Sequence, residues 1–167
     1  MLEGIQIKPL KRRPDERGFF TELMRKDWED LFKEDEIVQA NLSISYTDII
    51  RAWHRHLRGQ VDYFIALKGA VKICAYDESS RELDEIITTG NDLQIIRVPG
   101  KYWHGFKVLG NEPAWLLYFI NKLYDYDEPD EERRPWNDPN IIPTSINGRT
   151  SDQRVGQPWD WNYSPHK

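Results

Sequence analysis

Apolar and polar residues alternate with a period of two along most of the chain, the periodicity of β-strands. Val61, Tyr63, Ile65 and Leu67 share one face, with Phe64 and Ala66 on the other. Lys68-Gly69 interrupts the pattern, and Val71, Ile73 and Ala75 resume it before the turn-like run Asp77-Glu78-Ser79-Ser80. This predicts a hairpin. Further strands are predicted at 39–46, 83–88, 93–98, 103–109 and 114–121, each bounded by Gly, Pro, Asn or Asp. One short helix stands out, with Asp27 as its cap and Trp28, Leu31 and Phe32 at i, i+3 and i+4. Many short strands at near-regular spacing, without repeats or low-complexity tracts, predict an all-β sandwich or barrel of the jelly-roll kind.

Composition narrows the class. A chain of 167 residues is expected to form a single domain, 1–167, with one sizeable core. Aromatic residues make up 13%, which excludes disorder of the whole chain. A net charge of −5 argues against a dedicated nucleic-acid binder, which needs a basic face. No apolar run is long enough to span a membrane, and the N-terminus lacks a signal-peptide pattern. The single cysteine, Cys74, excludes an internal disulfide framework and a cysteine zinc cluster. The expectation is a soluble, cytoplasmic protein. From about residue 125 the composition turns polar, yet Trp136, Trp159 and Trp161 predict that this extension packs on the body or on a partner subunit. The acidic run Asp125 to Glu132 reads as a solvated face.

The four histidines are the first candidate chemistry. His54 and His56 sit just before a strand, and His104 lies in Pro99-Gly100-Lys101-Tyr102-Trp103-His104-Gly105-Phe106. Two His-bearing strand segments in a small all-β chain match how cupin jelly rolls line the barrel mouth. The fold expected is therefore a cupin double-stranded β-helix with short flanking helices. Alternation puts His54 and His56 on one face. The competing reading makes them surface or hydrogen-bonded structural histidines; His166 reads as a solvated tail residue.

Several segments carry a resemblance to a known family. Asp15-Glu16-Arg17-Gly18-Phe19-Phe20-Thr21-Glu22, Gln39-Ala40-Asn41-Leu42-Ser43-Ile44-Ser45 and Ile50-Arg51-Ala52-Trp53-His54 come first. Trp103-His104-Gly105-Phe106, Leu117-Tyr118 and Trp136-Asn137-Asp138-Pro139 follow in the same order. Together they resemble the dTDP-4-dehydrorhamnose 3,5-epimerases of nucleotide-sugar biosynthesis. The resemblance implies a cupin homodimer with no required metal or other cofactor. Its implied substrate is a nucleotide-diphosphate 4-keto-6-deoxysugar, inverted at C3, C5 or both through an enolate, in deoxysugar or surface-polysaccharide biosynthesis. A 4-keto group acidifies the C3 and C5 hydrogens; a base removes one and an acid returns it from the opposite face. The resemblance implies His54 as base, Tyr118 as acid and His104 as a donor or orienting group beside the enolate. It implies Arg17, Arg51, Gln39 and Asn41 as ligands of the diphosphate and nucleotide, Phe20 as a stacking partner, and a nucleotide-contacting glutamate within the acidic run 125–132; His56 and Asp62 are counted with the substrate-binding set.

Each residue also has a plainer reading. Arg17 could serve the turn beside Gly18, Tyr118 could be a core tyrosine, and Gln39 and Asn41 could satisfy edge-strand backbone. Two departures from the family pattern stand out. Asp62 replaces a lysine that helps stabilise the enolate, and the late aspartate that orients the base has two candidates, Asp152 and Asp160. Two other functions therefore stay open. His54, His56, Asp62 and His104 resemble the three-histidine, one-carboxylate set of metal-dependent cupins, suited to Fe, Mn, Ni or Zn. The other alternative is a catalytically inactive sugar-nucleotide binding protein.

Overall fold

The computed structural model of the chain describes residues 1–164. The first half contains β1 (Gln6–Pro9), β2 (Arg12–Asp15), β3 (Gly18–Thr21), α1 (Glu29–Phe32), β4 (Gln39–Ser45), β5 (Ile50–Arg55) and β6 (Val61–Lys68). The second adds β7 (Ala70–Asp77), β8 (Glu82–Thr89), β9 (Gln94–Pro99), β10 (Trp103–Leu109), β11 (Ala114–Ile120), β12 (Glu132–Arg133) and β13 (Ser145–Ile146). A five-stranded sheet runs β1-β9-β6-β11-β4, and a six-stranded sheet runs β12-β5-β10-β7-β8-β13. β2 and β3 form a separate hairpin. The architecture is the expected all-β cupin jelly roll. The short flanking helices reduce to α1 alone among the described residues.

The alternation in β6 explains why the two sheets stack. Phe64 and Ala66 point inward and pack with Val71, Ile73, Ala75, Ile96, Phe106, Val108 and Leu116 in the barrel interior. Val61, Tyr63 and Ile65 point outward, and Leu10, Leu31 and Phe32 cover them. The strand is therefore buried on both faces, which a period-two pattern with apolar residues at every position requires. The outer face of the six-stranded sheet is covered by the C-terminal extension. There Trp53, Cys74, Tyr76 and Trp103 pack with Ile141, Ile146, Trp159 and Trp161. Trp136, by contrast, is largely exposed.

Two local expectations are corrected. The strands on either side of Lys68-Gly69 do not form a hairpin: β6 pairs with β9 and β11, whereas β7 pairs with β8 and β10. The chain changes sheet at Gly69, whose φ is +71° and where a Cβ would lie 2.8 Å from the Pro113 carbonyl oxygen. Only glycine fits such a corner. The hairpin is instead β7–β8, closed by the Asp77–Arg81 turn. Nor does Asp27 cap α1: Trp28 stands at the cap without a side-chain bond, because the Asp27 carboxylate is held by Arg25 at 2.6 and 2.8 Å.

Candidate active site

β5 and β10 place the first two functional rings. Register sets His104 opposite His54, then jumps so that Phe106 opposes Arg51. Ala52 and Trp53 thus stand against Gly105 alone, a β-bulge. A Cβ on Gly105 would sit 2.4 Å from Ala52 Cβ and 2.5 Å from the Arg51 carbonyl oxygen, so the strands can approach this closely only at glycine. The His54 and His104 rings lie 4.2 Å apart as a result. His56, just past β5, comes within 5.5 Å of His54, centroid to centroid. From the facing sheet, Asp62 on β6 reaches both, its Oδ2 lying 3.2 Å from His104 Nε2 and 3.8 Å from His56 Nε2.

Around this floor is a pocket of about 640 Å³ lined by Gln39, Asn41, Arg51, His54, His56, Asp62 and Tyr118 among others. Tyr118 on β11 packs against Phe64 at 5.6 Å and stands on the wall opposite β5. Burial and the Asp62 carboxylate raise its pKa, so the phenol keeps its proton through neutral pH. His54 is held well below the usual histidine pKa, first by burial, then by His104 and His56 and by the Arg133 guanidinium. Its ring is neutral and still borders the pocket. Gln39 donates to Asn41 Oδ1 at 2.9 Å and accepts from the Tyr124 backbone N–H at 3.0 Å. Arg51 donates to Ser45 Oγ at 3.0 Å.

Several sequence expectations end differently. His104 is wholly buried and does not line the pocket; it lies behind His54 and Asp62. Arg17, its side chain 83% exposed, pairs with Asp15 in the β2–β3 hairpin, and Phe20 is 63% exposed there. Neither lies in this chain's own pocket, because the hairpin forms a sheet of its own. Neither aspartate offered for orienting His54 bonds to it: Asp152 binds Arg154 and Asp160 accepts from the Asn162 backbone N–H. The acidic run is not simply a solvated face. The Asp130 carbonyl accepts from His56 Nδ1, its carboxylate accepts from the backbone N–H groups of Leu57 and Arg58, and Glu131 lines the pocket. His166 lies outside the described residues.

Sequence reasoning missed Gln60, Tyr124, Tyr126, Arg133 and Arg134, all of which border the pocket. The adjacent arginines directly after the acidic run were the available signal; their relevance depends on β12 pairing with β5, which sets Arg133 opposite His54.

A cupin pocket with an imidazole on one wall and a protonated phenol on the other has the parts of an acid–base enzyme. The family model for dTDP-4-dehydrorhamnose 3,5-epimerase matches residues 1–153, and the chain belongs to that family. It is 38% identical over 141 residues to the probable low-salt glycan biosynthesis epimerase Agl13 of Haloferax volcanii, covering 81% of this chain and 89% of that protein. It is 36% identical over 146 residues to the spore coat polysaccharide biosynthesis protein SpsL of Bacillus subtilis, covering 84% and 94%. Among solved structures it resembles dTDP-6-deoxy-D-glucose-3,5-epimerase RmlC from Legionella pneumophila, crystallised with dTDP-4-keto-L-rhamnose. That match has a TM-score of 0.74 and 27% identity, covering 84% of this chain and 77% of the other.

Proposed function

We propose that the chain epimerises a nucleotide-diphosphate 4-keto-6-deoxysugar at C3, C5 or both, in deoxysugar or surface-polysaccharide biosynthesis. The observation that carries this reading is the placement of His54 and Tyr118 on facing walls of one pocket. Inversion requires a base on one side of the sugar ring and an acid on the other. Neutral His54 takes the C–H proton, and Tyr118, kept protonated by burial and by Asp62, returns one to the opposite face. Arg51 and Arg133 supply cationic character around the developing enolate and the diphosphate, where the family lysine is replaced by Asp62. Gln39 and Asn41 bind the nucleotide portion. His56 and Asp62 border the sugar, and His104 is a positioning residue that acts through His54 and Asp62.

The reading includes a homodimer. Strand β4 is a sheet edge whose outer face exposes Leu42 and Ile44 beside Trp115. Such an edge invites pairing with another chain. A second copy would bury it and could carry its exposed Arg17 and Phe20 to this pocket. A cytoplasmic location is in keeping with the single thiol, Cys74, buried and unpaired.

The test is solvent-deuterium incorporation into a nucleotide-diphosphate 4-keto-6-deoxyglucose. His54→Asn should abolish it while nucleotide binding persists. Full exchange in that variant would assign the base elsewhere.

A further inference from the structure

Where the family pattern has a lysine on β6, this chain has Asp62, and the cation in register with the base comes from the opposite sheet. Arg133 on β12 stands directly across the ladder from His54, so the two side chains leave the six-stranded sheet on the same face. Both border the pocket. Arg51, by contrast, lies three residues before His54 on β5, opposite Phe106 and bonded to Ser45 at the end of β4.

Strand β12 has little strength of its own. It is two residues long and forms a sheet edge, and the segment before it, 122–129, is exposed throughout. So short a ladder is not stable by itself. Its fastening is on the outer face. The guanidinium groups of Arg55 and Arg134 lie 4.5 and 4.1 Å from the centroid of the Trp103 ring, within reach of cation–π attraction and stacking. Glu78 ties the same three side chains: it accepts from Arg134, from Arg55 at 3.2 Å and from the Trp103 indole N–H at 3.4 Å. Arg55 also donates to Glu132 at 2.5 Å, and Arg134 and Trp53 exchange two backbone bonds, at 2.9 and 3.1 Å. Trp103 is buried in the core beneath the C-terminal extension, so the clasp is anchored in the body of the fold. With Glu132 and Arg134 held on the outer face, alternation turns Arg133 inward.

We propose that Arg133 is a catalytic residue that sets its guanidinium against the enolate oxygen as His54 removes the proton, and that Trp103, Arg55, Arg134 and Glu78 are the positioning residues that hold it there. In that step the proton passes to the His54 nitrogen, the C–H electron pair becomes a carbon–carbon double bond to C4, and the carbonyl π pair moves onto oxygen. That oxygen is borne by the carbon next to the one deprotonated, so its cation must stand beside the base. The diphosphate lies at C1, and Arg51 is left to serve it. Arg133 pairs with Glu131 at 2.7 Å, but its side chain is 76% exposed, and a solvent-screened pair of this kind yields to an enolate at small cost. The catalytic role rests on the reading of His54 as base; the clasp does not.

The experiment combines the kinetics of deuterium incorporation into a nucleotide-diphosphate 4-keto-6-deoxyglucose with backbone hydrogen exchange of the full chain. Charge on the oxygen develops only in the transition state, so Arg133→Ala should lower kcat by about 100-fold with KM little changed, and Arg133→Lys should recover part of the loss. Arg134→Ala should lower kcat by about tenfold, and adding it to Arg133→Ala should lower kcat no further, because a positioning residue then has nothing left to act on. In Arg134→Ala the amides of Trp53 and residues 132–134 should exchange faster while β6 and β7 keep their protection, which separates an opened clasp from a misfolded chain. A raised KM with kcat intact, or unchanged kinetics in Arg133→Ala, overturns the catalytic role while leaving His54 as base. Losses that multiply in the double variant, or unchanged protection along β5 and β12, overturn the clasp. If the unaltered chain incorporates no deuterium, the reading of His54 and the catalytic role of Arg133 fail together, and amide protection alone decides the clasp.

Discussion

Asp62 and His104 meet from opposite sheets, the carboxylate on β6 and the ring on β10, with Oδ2 and Nε2 3.2 Å apart. They are 42 positions apart in the sequence (62 to 104), where only the likeness to metal-dependent cupins groups them. Their meeting ties the buried His104 to a pocket floor that His54, His56 and Asp62 line. Four expected outcomes follow from this arrangement and from the elements that hold it.

Gly105 is the hinge of the histidine pairing. Gly105→Ala would force a Cβ to 2.4 Å from Ala52 Cβ and 2.5 Å from backbone oxygen, so β5 and β10 must part. The expected loss is about 1–3 kcal/mol, the range for overpacked sites, read as a lower denaturation midpoint. Deuterium exchange should fall as well, since the strand shift moves His54. Wild-type stability in this variant would show that the bulge relaxes freely.

Tyr118→Phe separates the acid from the base. With His54 intact, a C–H proton can leave and return to the same face, so deuterium incorporation should persist while inversion stops. Nuclear magnetic resonance of the recovered sugar distinguishes the two. Inversion at the wild-type rate would assign the acid to another group.

The arginines divide by location. Arg51 borders the pocket, and Arg51→Ala should weaken nucleotide-diphosphate binding by about 1.5–3 kcal/mol, the range for hydrogen bonds to charged groups. Arg17 lies on the exposed hairpin, so its contribution depends on a second copy. Ile44→Asp on the exposed face of β4 should produce monomers in sedimentation, and in that background Arg17→Ala should no longer affect binding. A dimer that survives Ile44→Asp would place the interface elsewhere.

Acid should loosen the C-terminal strap. Asp152 is drawn down to about 2 by its hydrogen bonds with Arg154, which outweigh the opposing effect of burial. A carboxylate with a depressed folded pKa stabilises above its unfolded value, near 4, and loses that contribution as pH falls toward 2. Arg154 also binds Glu85 at 2.7 Å and lies over Trp159 at 5.1 Å, which couples the pair to the tail core. Urea unfolding of the unaltered chain should therefore weaken between pH 4 and 2, more steeply than that of Asp152→Asn. Parallel curves would show that this pair does not anchor the strap.

Much of this protein is legible in the chain itself. Period-two alternation located the long strands to within a residue or two, because side-chain direction in a strand is a local consequence of backbone geometry. The same alternation assigned Phe64 and Ala66 to one face of β6 and Tyr63 and Ile65 to the other, as found in the interior and the outer core. Local residues also carried the family motifs, and with them His54 and Tyr118. Strand partners were not local. Whether β6 turns back onto β7 or crosses to the other sheet depends on the backbone packed against Gly69, and that is set by Pro113 and Ala114, far along the chain. The location of Arg17 and Phe20 outside the pocket, and of His104 behind it, likewise depends on how whole sheets stack. The convergence of Asp62 with three imidazoles was decided there too: each side chain's direction is a property of its own strand, but the distance between them exists only once two sheets face each other.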